Sequence, residues 1–348
     1  MFVIDPYKFA SVSYVNSVQQ VSITIGSGAT NNTATITSID TSKSWVIFQG
    51  CTGPSAADAQ ANTHLCRVEL TNSTTITAYR DSSSTDSITV NAVIIEGNSS
   101  LISSVQTGTI TTSATTSNTA TISAVTTSRS AVFWLGNTTT NTATNFGRTY
   151  SRAQLTNSTT VTATNGISQT STTGYVVVEF SSSSINLVQP IATSLTNTNT
   201  SDNQTITSVS TSNSMIAHGG FTAAGNAISN AASTVEITSS TNVNTVRGGT
   251  SGAANRVPTY TVIEFASGVI KSTQRGTIAL TSVTSNTATI SSIGAKGFAN
   301  FTGYRTVNTA IASSIQKISL TNATTVTASV NTSSAGDNGC GYEAIEFN

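Results

Sequence analysis

The chain has 348 residues, of which 37% are hydrophobic and only 8% are charged, and its 14 basic residues balance its 14 acidic ones. Soluble domains carry about 25% charged residues, so this composition is atypical of a cytoplasmic enzyme. A chain without net charge lacks the electrostatic source of most nucleic-acid affinity, and we expect no nucleic-acid partner. Ser, Thr, Asn and Gln fill most of the remainder, and the scarcity of charge and proline favours an ordered β protein over a disordered chain.

The first seventeen residues form a predicted N-terminal arm (1–17) that is rich in apolar and aromatic side chains. Asp5 and Pro6 interrupt the apolar run that a secretory signal needs. The chain also lacks a run of about 20 apolar residues, so we expect neither the usual export signal nor insertion into a membrane. Two interpretations of the arm stay open: it anchors the protein by docking or strand addition, or it forms the first strand of the next module.

After the arm, one pattern of about 85 residues occurs four times. Each copy has a strand containing a glutamine, a Thr-Ile strand and an apolar strand that ends in glycine. A Leu-Thr-Asn-Ser-Thr-Thr motif follows, degenerate in the third copy, and the copy closes on a glutamate. The predicted repeats are 18–97, 98–181, 182–266 and 267–348.

These segments alternate apolar and polar residues and are rich in β-branched Thr, Val and Ile, which is typical of strands. The sequence therefore predicts an all-β fold of four tandem antiparallel β-sandwich repeats, immunoglobulin-like or jelly-roll-like, with almost no helix. Within the Leu-Thr-Asn-Ser-Thr-Thr motif, the Thr-Asn-Ser stretch is expected to turn the chain through side-chain hydrogen bonds to its own backbone. In the apolar strand, Val46, Phe48 and their counterparts are expected to face the core.

The titratable residues are few. His218 occupies the repeat position of Phe48, Trp134 and Phe301, so we expect it to replace a core aromatic. His64 and Cys66 are neighbours in sequence, which is not the geometry that a Cys-His nucleophile needs.

The three cysteines, Cys51, Cys66 and Cys340, have no CxxC spacing and indicate neither a zinc site nor a disulfide scaffold. Cys51 and Cys66 border one loop, and both a bridge and two reduced thiols stay open. A bridge would be worth up to about 3 kcal/mol.

The closing glutamates are too far apart in sequence to predict a catalytic pair, and we expect each to form an ion pair with a cation on a neighbouring strand. The recurrent cations are Arg67, Arg152 and Lys317, and Thr234 breaks the series. The segment Asp81 to Asp86 lacks the spacing of a calcium loop. The sequence thus nominates no catalytic, cofactor-binding or metal-binding residue, and we expect no cofactor and no enzymatic activity. The closing glutamates are Glu96, Glu179, Glu264 and Glu346.

In its tandem Ser/Thr/Asn-rich repeats, the chain resembles the virion structural proteins of tailed bacteriophages, of the fibre or decoration type. The resemblance implies many copies on a particle, assembly in the host cytoplasm and later release. It implies other virion proteins and copies of the chain itself as partners, with host surface glycans as candidate ligands of loops 51–65, 137–150 and 221–232. The position on capsid or tail stays open.

Two alternatives belong to other classes. One is a bacterial cell-surface adhesin or surface-layer protein. The other is a carbohydrate-binding module in which exposed Trp45 and Tyr150 form a stacking platform.

Overall fold

The computed structural model describes residues 13–53, 60–142, 147–195, 199–223, 232–249, 256–308 and 313–348. The described residues form antiparallel strands joined by turns, with a single short helix, α1 (Ala61–His64). The predicted all-β fold with almost no helix is confirmed. Short 3-10 turns lie at Thr41–Lys43, Thr127–Arg129, Gly147–Thr149 and Thr211–Asn213.

The strands are numbered in chain order and grouped by the four predicted repeats, called segments 1 to 4. Segment 1 holds β1 (Val15–Ile25), β2 (Asn31–Thr35), β3 (Ser44–Thr52), β4 (Arg67–Asn72), β5 (Thr75–Tyr79) and β6 (Ile88–Gly97). Segment 2 holds β7 (Ile102–Thr121), β8 (Ser130–Thr139), β9 (Ser151–Asn157) and β10 (Thr160–Phe180). Segment 3 holds β11 (Ile185–Ala192), β12 (Ser201–Thr205), β13 (Ser214–Ala223), β14 (Ser233–Ser239), β15 (Asn242–Arg247) and β16 (Arg256–Phe265). Segment 4 holds β17 (Ile270–Ala279), β18 (Ser285–Thr289), β19 (Gly297–Arg305), β20 (Gln316–Asn322), β21 (Thr325–Val330) and β22 (Gly339–Phe347).

Each segment contributes two groups of three hydrogen-bonded strands. In segment 1 the first triplet is β1-β6-β3 and the second triplet is β2-β5-β4. Segments 3 and 4 repeat this arrangement, with β11-β16-β13 and β12-β15-β14, then β17-β22-β19 and β18-β21-β20. In segment 2 the long strands β7 and β10 each run through both triplets. The sandwich form of each repeat and the repeat boundaries stay predictions, and β1 begins inside the predicted arm.

The second triplet of each segment is hydrogen-bonded to the first triplet of the next, and the series closes on itself. The pairs are β4 with β8, β9 with β13, β14 with β19, and finally β20 with β3 of segment 1. The four segments therefore form a closed cycle in which every sheet is shared between neighbours. We call the four contacts junctions 1–2, 2–3, 3–4 and 4–1.

A glycine within each apolar strand makes each junction possible. The expectation that the strand ends at this glycine was wrong, because the strands continue beyond it. At junction 1–2, Gly136 pairs with Arg67 and has a φ of 88°. A Cβ at this position would overlap the carbonyl oxygen of Cys66 and lie 2.9 Å from the Cα of Arg67. Only a residue without a side chain allows both this backbone conformation and this approach. The equivalent pairs are Gly220 with Arg152, Gly303 with Thr234, and Gly50 with Lys317.

Two layers of aromatic side chains fill the centre of the cycle. In one layer, Trp45, Phe180, Phe265 and Phe347 touch in a closed circuit, with neighbouring ring centroids 5.3 to 6.4 Å apart. The other layer consists of His218 and the aromatic residues at the same position of the other repeats, and it is described below. Because the apolar strands pack against both the centre and their own segment, both of their faces are buried, and the expectation of one core-facing side was incomplete.

Side-chain amides complete the strand edges. The Oε1 atom of Gln19 accepts from the N–H of Thr37 (2.7 Å), and its Nε2 donates to the Thr37 carbonyl (3.0 Å). The same two bonds recur in the other segments and close the gap between the first and second triplets. We call each pair of glutamine bonds an edge clamp. The edge clamps cover strand edges that carry few charges to discourage pairing with other chains. The remaining pairs are Gln106 with Ser123, Gln189 with Thr207, and Gln274 with Ser291.

The predicted turn at Thr-Asn-Ser is confirmed, and the structure shows that the asparagine makes its side-chain bonds. The Oδ1 atom of Asn72 accepts hydrogen bonds from the N–H (2.9 Å) and the hydroxyl (3.1 Å) of Thr74. Asn157 and Asn322 make the same pair of bonds.

Candidate functional site

His218 lies at the centre of the cycle and is 6% exposed. Its ring centroid is 6.0 Å from those of Trp134 and Phe301, and Phe48 is 5.4 Å from Trp134. The Nδ1 atom accepts a hydrogen bond from the N–H of Gly220 (3.1 Å). Burial lowers the pKa of His218 to about 4, so the ring is neutral near pH 7. The expected role as a core aromatic is confirmed.

The structure also argues against a Cys-His nucleophile, because both nearby thiols bind a backbone carbonyl. The Sγ atoms of Cys51 and Cys66 both donate to the backbone carbonyl of His64, at 3.7 and 3.4 Å. The Nδ1 atom of the His64 imidazole lies 2.7 Å from the carbonyl oxygen of Gln60 and 2.8 Å from the hydroxyl of Thr63. Burial raises the pKa of the Cys66 thiol well above its usual value, which disfavours the reactive thiolate.

All three cysteines are free and buried, so of the two open alternatives for Cys51 and Cys66 the structure has the reduced one. The pair lies against a small cavity of about 20 Å³ near the centre of the cycle. Tyr150 and Tyr304 line the same cavity and share a hydrogen bond between their hydroxyls. Burial also raises the pKa of both tyrosines, which are each less than 5% exposed.

The proposed aromatic platform for sugars is wrong. Trp45 is fully buried and Tyr150 is 3% exposed, so neither ring has a free face for stacking. The reason for Trp45 lies in the closing residues of the repeats. Segments 2 to 4 end in a phenylalanine, whereas segment 1 has Gly97 in that place, and Trp45 supplies the missing ring of the central layer.

Two of the closing glutamates form the predicted ion pair, but the cations named as their partners, Arg67, Arg152 and Lys317, are wrong. Glu179 pairs with Arg129 (2.8 Å) and accepts from the N–H of Thr126 (3.1 Å). Thr126 directly precedes the 3-10 turn Thr127–Arg129. Although burial opposes it, these hydrogen bonds lower the pKa of Glu179. Glu346 pairs with Lys271 (2.8 Å).

The other two glutamates have backbone partners at equivalent turns. Glu96 accepts from the N–H of Asp40 (2.9 Å), and Glu264 accepts from the N–H of Ser210 (2.7 Å). The glutamate thus recurs because a nearby turn presents a backbone N–H group that needs a hydrogen-bond acceptor.

The cations expected beside the glutamates lie at the junctions instead. Arg67 pairs with Glu69 (2.8 Å) and its guanidinium lies 4.1 Å from the ring centroid of Tyr79. Arg152 donates to the hydroxyl of Thr259 (3.1 Å). Sequence reasoning missed this role, although the recurrence of a cation and of a glycine in the apolar strand was visible.

A solvent-open groove lies at junction 1–2, and we call it groove 1–2. It has a volume of about 330 Å³, which is within the range of small-ligand sites. The buried side chains of Val46 and Val176 and the half-buried Leu70 and Val105 form its floor. Exposed polar residues form the rim. They are Thr41, Ser42, Thr71, Asn72 and Thr107.

The corresponding spaces at the other junctions are smaller or filled. At junction 2–3 the groove has about 50 Å³ and includes Leu155 and Pro190 at the places of Leu70 and Thr107. At junction 4–1, Gln20 takes the place of Thr107, and its Oε1 accepts from the N–H of Leu320 (3.2 Å).

At junction 3–4 a buried ion pair occupies the space. Arg275 pairs with Glu343 (2.7 Å), whose carboxylate accepts from the N–H of Ile216 (2.8 Å). The Arg275 guanidinium also donates to the carbonyl of Ser214. Groove 1–2 thus lacks the long polar side chain that Arg275 and Gln20 supply at junctions 3–4 and 4–1, and the repeats alone did not reveal the consequence.

The loops expected to contact partners are only partly within the described residues. Of loops 51–65, 137–150 and 221–232, residues 54–59, 143–146 and 224–231 lie outside them. The described flanks of the first two loops meet, because the N–H of Asn62 donates to the carbonyl of Asn141 (3.0 Å). Of the N-terminal arm, residues 1–12 lie outside the described residues, and Tyr14 donates its N–H to the carbonyl of Asn348 (3.1 Å).

Among the described residues, no group of His, Cys, Asp and Glu side chains is arranged to hold a metal ion. No helix in the described ranges is long and apolar enough to cross a membrane. Comparisons with protein-family models, with curated proteins and with solved structures find no match to this chain.

Proposed function

We propose that the protein is a non-enzymatic structural component of a tailed-bacteriophage virion, a fibre or decoration subunit on the particle surface. In this role it assembles in the host cytoplasm with other virion proteins and with copies of itself, and it is extracellular after release. Host surface glycans are the proposed ligands. The protein binds no nucleic acid and does not enter a membrane.

The observation that carries this proposal is the use of the recurrent polar residues. The glutamine of every segment binds backbone groups at a strand edge, and the closing glutamates of the first three segments bind backbone N–H groups at a turn. The asparagine of the turn motif likewise binds backbone groups. Residues that recur for such bonds serve the rigidity of the molecule, and covered edges suit a protein present in many neighbouring copies.

The decisive experiment is mass spectrometry of purified phage particles with copy counting. Hundreds of copies per particle would indicate a capsid surface protein, and a dozen or fewer would indicate a tail fibre. Absence from particles, together with detection on the bacterial envelope, would refute the virion role and favour the adhesin or surface-layer alternative.

We assign the part of the predicted arm (1–17) that precedes β1, residues 1–14, the role of anchoring the subunit to the particle. A variant lacking residues 2–12 keeps Tyr14 and its bond to Asn348, so the described fold should form. We expect this variant to fold and to be lost from particles. Incorporation at the normal copy number would refute the anchoring role.

A further inference from the structure

We propose that groove 1–2 binds a neutral sugar that carries an acetamido group, an N-acetylhexosamine unit of a surface glycan. This inference rests on the proposed surface role for the biological source of the ligand. The chemistry of the ligand follows from the groove itself and from the groups that fill the equivalent position at two other junctions.

The filled junctions identify which backbone groups face the groove. At junction 4–1 the N–H of Leu320 is bound by Gln20. Leu70 holds the same register, since Leu70 pairs with Ile76 as Leu320 pairs with Val326. The N–H of Leu70 therefore points into groove 1–2, where the hydroxyl of Thr107 does not take the role of Gln20 but donates to the carbonyl of Tyr175 (3.1 Å).

The opposite wall is identified in the same way from junction 3–4. There the guanidinium of Arg275 binds the carbonyl of Ser214. Ser44 is the counterpart of Ser214, and both pair with the closing glutamate of their segment, Glu96 and Glu264. The carbonyl of Ser44 thus faces groove 1–2 as an acceptor, while Leu70 offers a donor on the wall formed by β4.

A trans amide complements this pair of groups. Its carbonyl and its N–H point in opposite directions, because the amide is planar and trans. The carbonyl can accept from Leu70 while the N–H donates to Ser44. The methyl group of an acetamido substituent then lies on the apolar floor of Val46 and Val176.

The rim selects a sugar over other neutral amides. No Asp, Glu, Lys, Arg or His side chain lines groove 1–2, so phosphate or carboxylate ligands gain no ion pair there. The exposed hydroxyl of Thr41 and the Nδ2 group of Asn72, whose Oδ1 is held in the turn, suit the hydroxyls of a pyranose ring. The groove volume of about 330 Å³ suits one ring with its substituent rather than a long segment.

Binding is tested on the full chain by NMR titration with a trimer of N-acetylglucosamine. A glucose trimer, which lacks the amide, is the matched ligand, and we expect it to bind at least tenfold more weakly. The decisive variant is Thr107→Gln, which reproduces Gln20 of junction 4–1 and places a competing amide on the N–H of Leu70. We expect it to weaken binding at least tenfold. Thr109→Gln, two residues along the same strand and outside the groove, is the control and should bind as the wild type does.

Equal binding of the two trimers, absence of binding by the wild type, or unchanged binding by Thr107→Gln would overturn the proposal. Tighter binding of a short N-acetylated Val-Thr peptide would also overturn it, by assigning the groove to peptide. Urea unfolding of both variants checks that they fold. Copy counting on particles is independent of this test, so a sugar-binding chain that is absent from particles would refute the virion role and leave the groove assignment intact.

Discussion

The junction glycines offer the sharpest test of the closed cycle. We predict that Gly136→Ala opens junction 1–2 and destabilises the whole protein. Gly136 has a φ of 88°, and placing a side chain in this backbone region costs about 1–2 kcal/mol. The new Cβ would also lie 2.9 Å from the Cα of Arg67 and closer still to the Cys66 carbonyl.

The overlap adds a second cost, because backbone atoms cannot rotate away as a side chain can. Separating β4 from β8 sacrifices one or two junction hydrogen bonds, each worth about 1 kcal/mol, together with packing around Trp134. We therefore expect Gly136→Ala to lower the free energy of unfolding by about 3–5 kcal/mol.

Gly28→Ala is the matched control. Gly28 also has a positive φ, 75°, but a Cβ there would meet no atom within 4 Å. It should cost only about 1–2 kcal/mol, from the backbone conformation alone. The assay is urea unfolding followed by tryptophan fluorescence. If Gly136→Ala destabilises no more than Gly28→Ala does, the close approach at the junction is not as described.

Three further predictions concern side chains. His218→Phe should remove an acid sensitivity: burial lowers the pKa to about 4 from 6.5, so the wild type loses up to about 3 kcal/mol as the pH falls through this range, whereas the variant does not. Urea unfolding at neutral and at acidic pH measures the difference, and equal losses in both proteins would contradict the burial of a neutral imidazole. Gln106→Leu removes both bonds of one edge clamp and should cost about 1–2 kcal/mol with increased aggregation in light scattering, and an unchanged protein would show the clamp to be dispensable. A chromogenic disulfide reagent should find none of Cys51, Cys66 and Cys340 in the folded protein and all of them in urea, and rapid reaction of the native state would contradict their burial.

Local patterns in the sequence predicted local structure well. The Asn72 turn is fixed by atoms two residues apart, so the motif alone carries the information. The all-β fold class was likewise predictable, because the alternation of apolar and polar residues and the β-branched side chains are also local features of the sequence. His218 was placed correctly because the repeats align it with three aromatic residues.

The closure of the cycle was not predictable in this way. It depends on contacts such as that of Gln49 with the carbonyl of Ala299, which lie 250 residues apart. Similarity among the repeats says that the units are alike, but it does not say which unit lies beside which. The predicted partners of the glutamates were wrong for a related reason. The aligned cations were expected to lie beside the glutamates of their own repeat, whereas Arg67 and Arg152 contact the next segment.

The buried Trp45 shows a missed signal. The absence of a phenylalanine after Glu96 was visible in the aligned repeats, and it marks a gap in one layer of rings. At the aligned position of Trp45 the other copies have Ala131, Met215 and Phe298. A tryptophan that stands at this position in one copy alone is better interpreted as compensation within the core than as a surface platform.

The pairing of β20 with β3 also bears on the order of events during synthesis. A ribosome releases segment 1 long before segment 4 exists, so the edge of β3 waits without its partner while most of the protein is made. Until then this nascent strand can pair with other unfinished chains. We therefore expect folding to complete late, with the polypeptide most vulnerable to misassembly in the interval before the final strands emerge.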